Sequence, residues 1–192
     1  SGAELAFVAS QINGSNNNTY YNKYYKLVND IDLNNINWDP IGCYRYNASS
    51  TSYNRAFQGN FDGDGHIIYN LSITEAYKKY YYYFGLFGIV HQATIKNLGI
   101  ENVNIGSIST ALCVGGLSGY TYNTPVTNCY VTGNINSNAD QVGGLIGNAS
   151  IGGEIRNCYT KVNINVQAEG FLTRLDVGGV LGEAYQTKVV NC

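Results

Sequence analysis

Hydrophobic and polar residues alternate in several short segments in the second half of the chain. The clearest are residues 98–105, 129–135 and 158–164, which begin at Leu98, Cys129 and Cys158. Alternation with a period of two is typical of strands that bury one face and expose the other. The sequence therefore predicts a series of short, half-buried strands.

The first residues of the chain follow a helical period instead. Leu5, Val8, Ala9 and Ile12 recur at the i, i+3, i+4 and i+7 positions that form one face of a helix. We predict a short amphipathic helix over residues 3–12. A stack of strands leaves its first strands open to solvent, and this helix is expected to cap them.

A four-residue word with glycine at both ends recurs along the chain. Its glycines are Gly85 and Gly88, Gly116 and Gly119, Gly144 and Gly147, and Gly179 and Gly182. An Asn followed by Leu or Cys stands 9 or 10 residues after each word, at Asn97, Asn128, Asn157 and Asn191. The two words stay in phase while successive units differ in length from 28 to 35 residues. Each unit therefore contains one loop of variable length.

Units of this size bury a core only by stacking on their neighbours. Helical repeats would need a 3.6-residue period, and propeller blades are longer, at roughly 40 to 50 residues. We expect an all-β protein, a right-handed, single-stranded parallel β-helix with a short N-terminal capping helix. The expected domain covers residues 1–192, with the first coils over 24–83 and the glycine-word coils over 84–192. Because the pattern is still running at Cys192, we expect the chain to be a fragment of a longer protein.

Five cysteines fit positions within the repeat better than a metal site or a disulfide framework. They are Cys43, Cys113, Cys129, Cys158 and Cys192. No two of them have the Cys-x-x-Cys spacing of a zinc site. The last three share the slot of Leu98, to which we also assign Leu71. We expect an inward ladder of free thiols in this slot, beside a ladder of the preceding Asn side chains.

The composition narrows the possible partners. Hydrophobic residues make up 44% of the 192 residues, whereas charged residues make up only 12% and the net charge is −2. A chain without a basic surface is a poor candidate for nucleic-acid binding. No apolar run approaches the roughly 20 residues needed to cross a bilayer. We expect no nucleic-acid partner, no direct membrane insertion and no cofactor.

Several segments resemble a known family. The Gly-Gly-Leu-x-Gly words at 115–119 and 143–147, with a variant at 178–182, resemble the GLUG repeat, and residues 57–71 resemble the segment that commonly precedes it. The N-terminal helix and residues 30–33 and 38–42 resemble the same arrangement. Such repeats occur in large secreted or wall-attached bacterial proteins, including adhesin-like proteins and the non-catalytic region of IgA-specific metallopeptidases. The resemblance implies a parallel β-helix outside the cell, without a catalytic motif.

One cluster of residues has the side chains for acid–base or metal chemistry. Asp62, Asp64 and His66 lie in the run Asp-Gly-Asp-Gly-His, where they could form an acid–base set or hold Ca²⁺. The same run is ordinary turn chemistry, in which Asp bonds the local backbone and Gly supplies positive φ. EF-hand spacing is not met, which favours the turn. We predict no catalytic residue and no metal site, with Asp62 and Asp64 as weak metal candidates.

Tyrosine is in unusual excess, with 18 in the chain. The densest run supplies the ligand-binding residues that we predict, Tyr77, Tyr80, Tyr81, Tyr82 and Tyr83. Exposed tyrosines give a rigid amphipathic contact surface, although alternate residues of the run could equally face inward.

The expected function is that of a non-catalytic module of a secreted or cell-surface protein. It would bind a host or cell-surface glycan or protein, or act as a spacer. An open last coil is expected to allow end-to-end self-association. Parallel β-helices also include polysaccharide-cleaving enzymes, so the alternatives are a carbohydrate-active enzyme and an accessory domain of a larger secreted protease.

Overall fold

Successive coils of the chain stack along one axis in the computed structural model, which describes residues 1–14, 19–43, 55–74, 82–106, 111–167 and 175–192. Every pairing between the described strands is parallel. The parallel β-solenoid expected from the sequence is confirmed.

The described strands are short and follow one another around each coil. They are β1 (Tyr24–Lys26), β2 (Ile31–Asp32), β3 (Asn60–Asp62), β4 (Ile67–Tyr69), β5 (Ser72–Ile73), β6 (Tyr83–Phe84), β7 (Phe87–His91), β8 (Thr94–Lys96), β9 (Gly99–Ile105), β10 (Cys113–Gly115), β11 (Ser118–Tyr122), β12 (Val126–Thr127), β13 (Tyr130–Ser137), β14 (Gln141–Gly143), β15 (Ile146–Ser150), β16 (Glu154–Arg156), β17 (Tyr159–Val166), β18 (Asp176–Gly178), β19 (Leu181–Tyr185) and β20 (Lys188–Val190).

Four sheets run along the solenoid, numbered here in the order in which a coil visits them. Sheet I contains β6, β10, β14 and β18, and sheet II contains β7, β11, β15 and β19. Sheet III contains β1, β3, β8, β12, β16 and β20, and sheet IV contains β2, β4, β5, β9, β13 and β17. The third residues of the four glycine words pair with one another in register, so the words stack at the corner between sheets I and II.

Glycine is required where sheets I and II touch at this corner. A Cβ on Gly147 would lie 2.7 Å from the backbone oxygen of Gly119 and 2.7 Å from the backbone nitrogen of Val114. Both neighbours are backbone atoms, so neither can swing aside. The residue after each first glycine points the other way, and Leu117 and Leu145 are fully buried in the core. The glycine word therefore forms a tight corner, and its buried apolar side chain holds that corner against the core.

The helix α1 (Gly2–Gly14) packs on the first coils. On its predicted apolar face, Leu5, Ala9 and Ile12 are buried and Val8 is partly buried against the core. Asn13 is buried as well: its side-chain amide donates to the carbonyl of Pro40 at 2.8 Å, and its Oδ1 accepts from the N–H of Gly42 at 3.0 Å. Within the described ranges, no helix has the length and hydropathy to span a bilayer.

An Asn ladder runs along the corner between sheets III and IV. The amides of Asn128, Asn157 and Asn191 each donate to Oδ1 of the Asn one coil earlier, over 2.9 to 3.1 Å. All four residues of the ladder, counting Asn97, have φ between 52° and 55°. Asn tolerates this left-handed conformation better than most residues with a Cβ. The predicted ladder is confirmed.

Leu71 does not share the slot of Leu98, and that assignment is wrong. Ser72 pairs with Asn104, which places Leu71 opposite Val103. Four residues, 63–66, separate β3 from β4, whereas two, 97–98, separate β8 from β9. Asn70 is instead the counterpart of Asn102, whose amide donates to its Oδ1 at 3.0 Å, so the Asn-Leu pair at 70–71 belongs to a different ladder.

The cysteine slot itself lies where the sequence places it. Tyr130 pairs with Gly99 and with Tyr159, so the residues before them, Leu98, Cys129 and Cys158, are stacked. Both of these cysteines are buried, and Cys192 in the last coil is exposed. All five cysteines are free thiols. Burial holds the pKa of Cys129 far above its ordinary value, as expected for a structural thiol.

Candidate functional site

Asp62 lies at the end of β3, only 6% exposed, and both of its carboxylate oxygens accept hydrogen bonds. Oδ1 accepts from the side-chain amide of Asn97 at 3.0 Å and from the backbone N–H of Asp64 at 2.9 Å. Oδ2 accepts from the hydroxyl of Tyr24 at 3.0 Å and lies 3.1 Å from Nζ of Lys96. Asp62 is thus the anion on which the Asn ladder ends.

These contacts keep Asp62 ionised. Burial by itself raises the pKa of the carboxyl group, but the hydrogen bonds from the N–H of Asp64 and the amide of Asn97, followed by those from Lys96 and Tyr24, outweigh it. The pKa of Asp62 is held well below its usual range. Asp62 is therefore a carboxylate at neutral pH and does not donate a proton.

Asp64 and His66, the other members of the predicted cluster, contact different partners. Oδ2 of Asp64 lies 2.9 Å from Nζ of Lys26, and Nδ1 of His66 lies 3.0 Å from Oδ1 of Asp30. Asp64 has a φ of 52°, as turn chemistry requires. In the part of the chain that the structure describes, no group of three His, Cys, Asp or Glu side chains could hold a metal ion.

The predicted tyrosines are only partly described, since Tyr77, Tyr80 and Tyr81 lie outside the described residues. The backbone carbonyl of Tyr82 accepts a hydrogen bond from the backbone N–H of Leu112 at 2.8 Å. Tyr83 is half-buried, and its ring packs on that of Tyr120 with 5.5 Å between the centroids. Tyr83 is therefore part of a contact between sheets I and II.

This contact belongs to a crease between the outward faces of sheets I and II. We define the outer crease by Tyr83, Cys113, Tyr120, Gln141, Asn148 and Glu183. The amide of Gln141 donates to Oε2 of Glu183 at 2.5 Å, and the amide of Asn148 donates to the same oxygen at 2.7 Å. Gln141 Oε1 in turn accepts from Asn148 at 3.1 Å and from the thiol of Cys113 at 2.8 Å. The network ties three successive coils together.

The electrostatics of the outer crease are acidic. Burial raises the pKa of the Cys113 thiol far above its ordinary value, and the charges of Glu183 and Asp140 raise it further. Cys113 is therefore a neutral hydrogen-bond donor rather than a nucleophile. Two tyrosine rings, two amides and a carboxylate along one crease can make both apolar and directional contacts with a ligand.

Most residues of the outer crease are not predicted from the sequence, although a signal for them exists. Ile89, Tyr120, Asn148 and Glu183 each stand one residue after a glycine word and pair in register. Alternation marks such residues as outward-facing. It does not reveal that the outward faces of two sheets meet.

Two segments of the chain match the family model of the GLUG motif, residues 110–136 and 138–165. Each segment contains one glycine word and runs through all four sheets. The chain carries GLUG repeats. One GLUG repeat is thus one coil, and its glycine word is the corner at which sheet II approaches sheet I.

A curated relative is halomucin of Haloquadratum walsbyi (strain DSM 16790 / HBSQ001), which is 32% identical over 152 residues. The match covers 77% of this chain, and the chain spans 2% of halomucin. A solved structure, of a candidate immunoglobulin A1 protease from Bacteroides ovatus, aligns with a TM-score of 0.51 at 22% identity. The alignment covers 88% of this chain and 58% of that chain. The GLUG coils and the Bacteroides protein share a fold.

Proposed function

We propose that this chain is a non-catalytic module of a secreted or cell-surface protein, and that it presents the outer crease to an extracellular glycan or protein. The observation that carries the proposal is the Tyr83–Tyr120 ring pair beside the amides of Gln141 and Asn148. Tyrosine rings offer a large contact area at low entropic cost, and amides add directional hydrogen bonds.

The likeness to a small part of halomucin supports a repeat module of a long surface or secreted protein. The stacked coils support a spacer role, because hydrogen-bonded sheets on every side give the module a fixed length. A carbohydrate-active enzyme has less support, since Asp62, Asp64 and His66 are engaged with separate partners. The likeness to the candidate protease is one of fold and adds nothing about catalysis.

The test is to probe a glycan array and an array of extracellular proteins with the labelled chain. Tyr83→Ala and Tyr120→Ala are expected to weaken the binding by about tenfold. Tyr185→Ala is the matched control, because Tyr185 is an exposed tyrosine of sheet II outside the crease. Equal binding by all three folded variants contradicts the crease as the contact surface, and no binding by the unmodified chain contradicts ligand presentation.

A further inference from the structure

A shallow groove of about 410 Å³ lies at the corner between sheets III and IV. Its lining includes Asp64, Gly65, Asn97, Gly99, Asn128 and Tyr130. None of these residues belongs to the outer crease. Gly65 is exposed and has no heavy atom within 4 Å of a Cβ position, so its backbone is open to a ligand at this corner.

The ring of Tyr130 forms a fixed wall of the groove. One face stacks on Tyr159 in the next coil, with 5.0 Å between the centroids and 2° between the ring planes. The hydroxyl donates to Oε1 of Glu101 at 2.6 Å. A Cβ on Gly99 would lie 2.6 Å from the ring, so the ring lies directly over that glycine. Tyr130 is therefore held in place before any ligand arrives.

The Asn ladder continues the groove along the axis. Asn128 and Asn157 each use one N–H and one carbonyl lone pair on their ladder neighbours, out of two of each. One donor and one acceptor per coil are left for a ligand, and Asn128, Asn157 and Asn191 are exposed. Because paired strands lie about 4.8 Å apart, these groups recur at that spacing beside Tyr130 and Tyr159.

The charges beside the ladder are neutralised within the protein. Lys96 pairs with Asp62, and Arg156 and Lys188 both pair with Glu154. At the end of the groove, Asp64 pairs with Lys26 at 2.9 Å. Each of these charges has a partner of opposite sign among the described residues, which favours a neutral ligand over an ionic one.

We propose that the groove and the exposed face of the Asn ladder bind an extended, neutral, β-1,4-linked glycan that lies along the solenoid axis. Sugars in such a chain repeat at nearly the spacing of the coils, so one sugar faces each coil. Sugar hydroxyls both donate and accept hydrogen bonds, which matches the alternating amide groups. Tyr159 and Gly99 cover the two faces of the Tyr130 ring, so its partly exposed edge adds an apolar contact for the sugar. This site is independent of the proposed role of the outer crease.

The experiment is an NMR titration of the ¹⁵N-labelled chain with cellotetraose, with maltotetraose as the α-1,4-linked control of the same composition. Cellotetraose is expected to shift the side-chain amide signals of Asn128 and Asn157 and the backbone signals of Gly65 and Gly99. Maltotetraose is expected to bind about tenfold more weakly. No shifts in millimolar cellotetraose, or equal affinity for both sugars, would overturn the proposal.

Two variants locate the site. Tyr130→Ala is expected to weaken cellotetraose binding by about tenfold, whereas Tyr185→Ala, at an exposed tyrosine outside both the groove and the outer crease, is expected to leave it unchanged. If Tyr130→Ala does not fold, the residues whose NMR signals shift in the unmodified chain still show whether cellotetraose binds in the groove. Shifts confined to the outer crease contradict this site without contradicting the crease.

Discussion

Nδ2 of Asn97 lies 3.0 Å from Oδ1 of Asp62, so the Asn ladder ends on a carboxylate. Each amide of the ladder donates toward the N-terminal end, so the amide dipoles all point the same way. An anion at the accepting end stabilises this row of hydrogen bonds, because aligned hydrogen bonds polarise one another. A second, shorter ladder repeats the arrangement, since the amide of Asn70 donates to Oδ1 of Asp32 at 2.8 Å.

Asp62→Ala is expected to lower the free energy of unfolding by about 2 to 3 kcal/mol, because it leaves Asn97 and Lys96 without their acceptor. Asp64→Asn is the matched control in the same loop, with an expected change of less than about 0.5 kcal/mol. Urea unfolding followed by circular dichroism measures both. Equal losses in the two variants would show that the ladder gains nothing from its terminal carboxylate.

The stability of the chain should fall in acid. The pKa of Asp62 in the folded state lies below its ordinary value of 3.8, so its contribution is complete above that pH and is lost as the pH falls toward the folded pKa. Asp30 and Asp32 act in the same direction, since hydrogen bonds from the N–H of Ile67 and the amide of Asn70 lower their pKa values.

The free energy of unfolding, measured from neutral pH downward, is therefore expected to stay level until about pH 4 and then to decline. The decline should be shallower in Asp62→Ala than in the unmodified chain. The same slope in both would mean that other carboxyl groups set the acid limit.

Gly147→Ala is expected to destabilise the fold by about 3 kcal/mol, because the new Cβ meets backbone atoms of the neighbouring coil. Gly179→Ala is the comparison at the first glycine of the last word, where no heavy atom lies within 4 Å of a Cβ. It should be neutral or slightly stabilising, by up to about 1 kcal/mol. Thermal melting distinguishes the two, and similar losses would mean that glycine is needed for its backbone freedom rather than for close packing.

One thiol per chain is expected to react rapidly with a disulfide reagent in the folded state. Cys192 is exposed, whereas the other four cysteines are buried. The others should react only after unfolding, since a buried neutral thiol is a poor nucleophile. Cys192→Ser should abolish the rapid phase. A rapid phase that survives this substitution would show that a buried cysteine becomes accessible in the native state.

The last coil is expected to let this chain associate with itself. Val177 and Val189 pair with the buried Val142 and Ile155, yet they are 48% and 46% exposed because no further described coil covers them. Open strand edges beside exposed apolar residues favour association. Sedimentation should detect dimers that the double variant Val177→Lys, Val189→Lys abolishes. Val28→Lys is the control, since Val28 is exposed at the opposite end, and loss of dimers in that variant would place the contact there instead.

The repeat itself predicted the coil and its ladders. Glycine words and Asn pairs that stay in phase indicate stacked coils, because stacking gives each Asn an identical neighbour one unit away. Alternation then assigned the inward side chains, including Cys129 and Cys158. The register of the first coils was not predictable, since the Asn-Leu pair at 70–71 resembles the repeated one but stacks with Asn102 in a second ladder.

Only the tertiary structure decided how the coils meet across sheets. Asp62 looks like a turn residue or a metal ligand in the sequence, and its role as the end of the Asn ladder appears once Asn97 lies beside it. The Tyr83–Tyr120 pair and the position of Tyr130 over Gly99 likewise depend on the stacking of different coils. Periodicity in the sequence reports which face of its own sheet a side chain occupies. The distance to a side chain on another sheet depends on the corner angle and loop length, and these are set by packing of the whole stack.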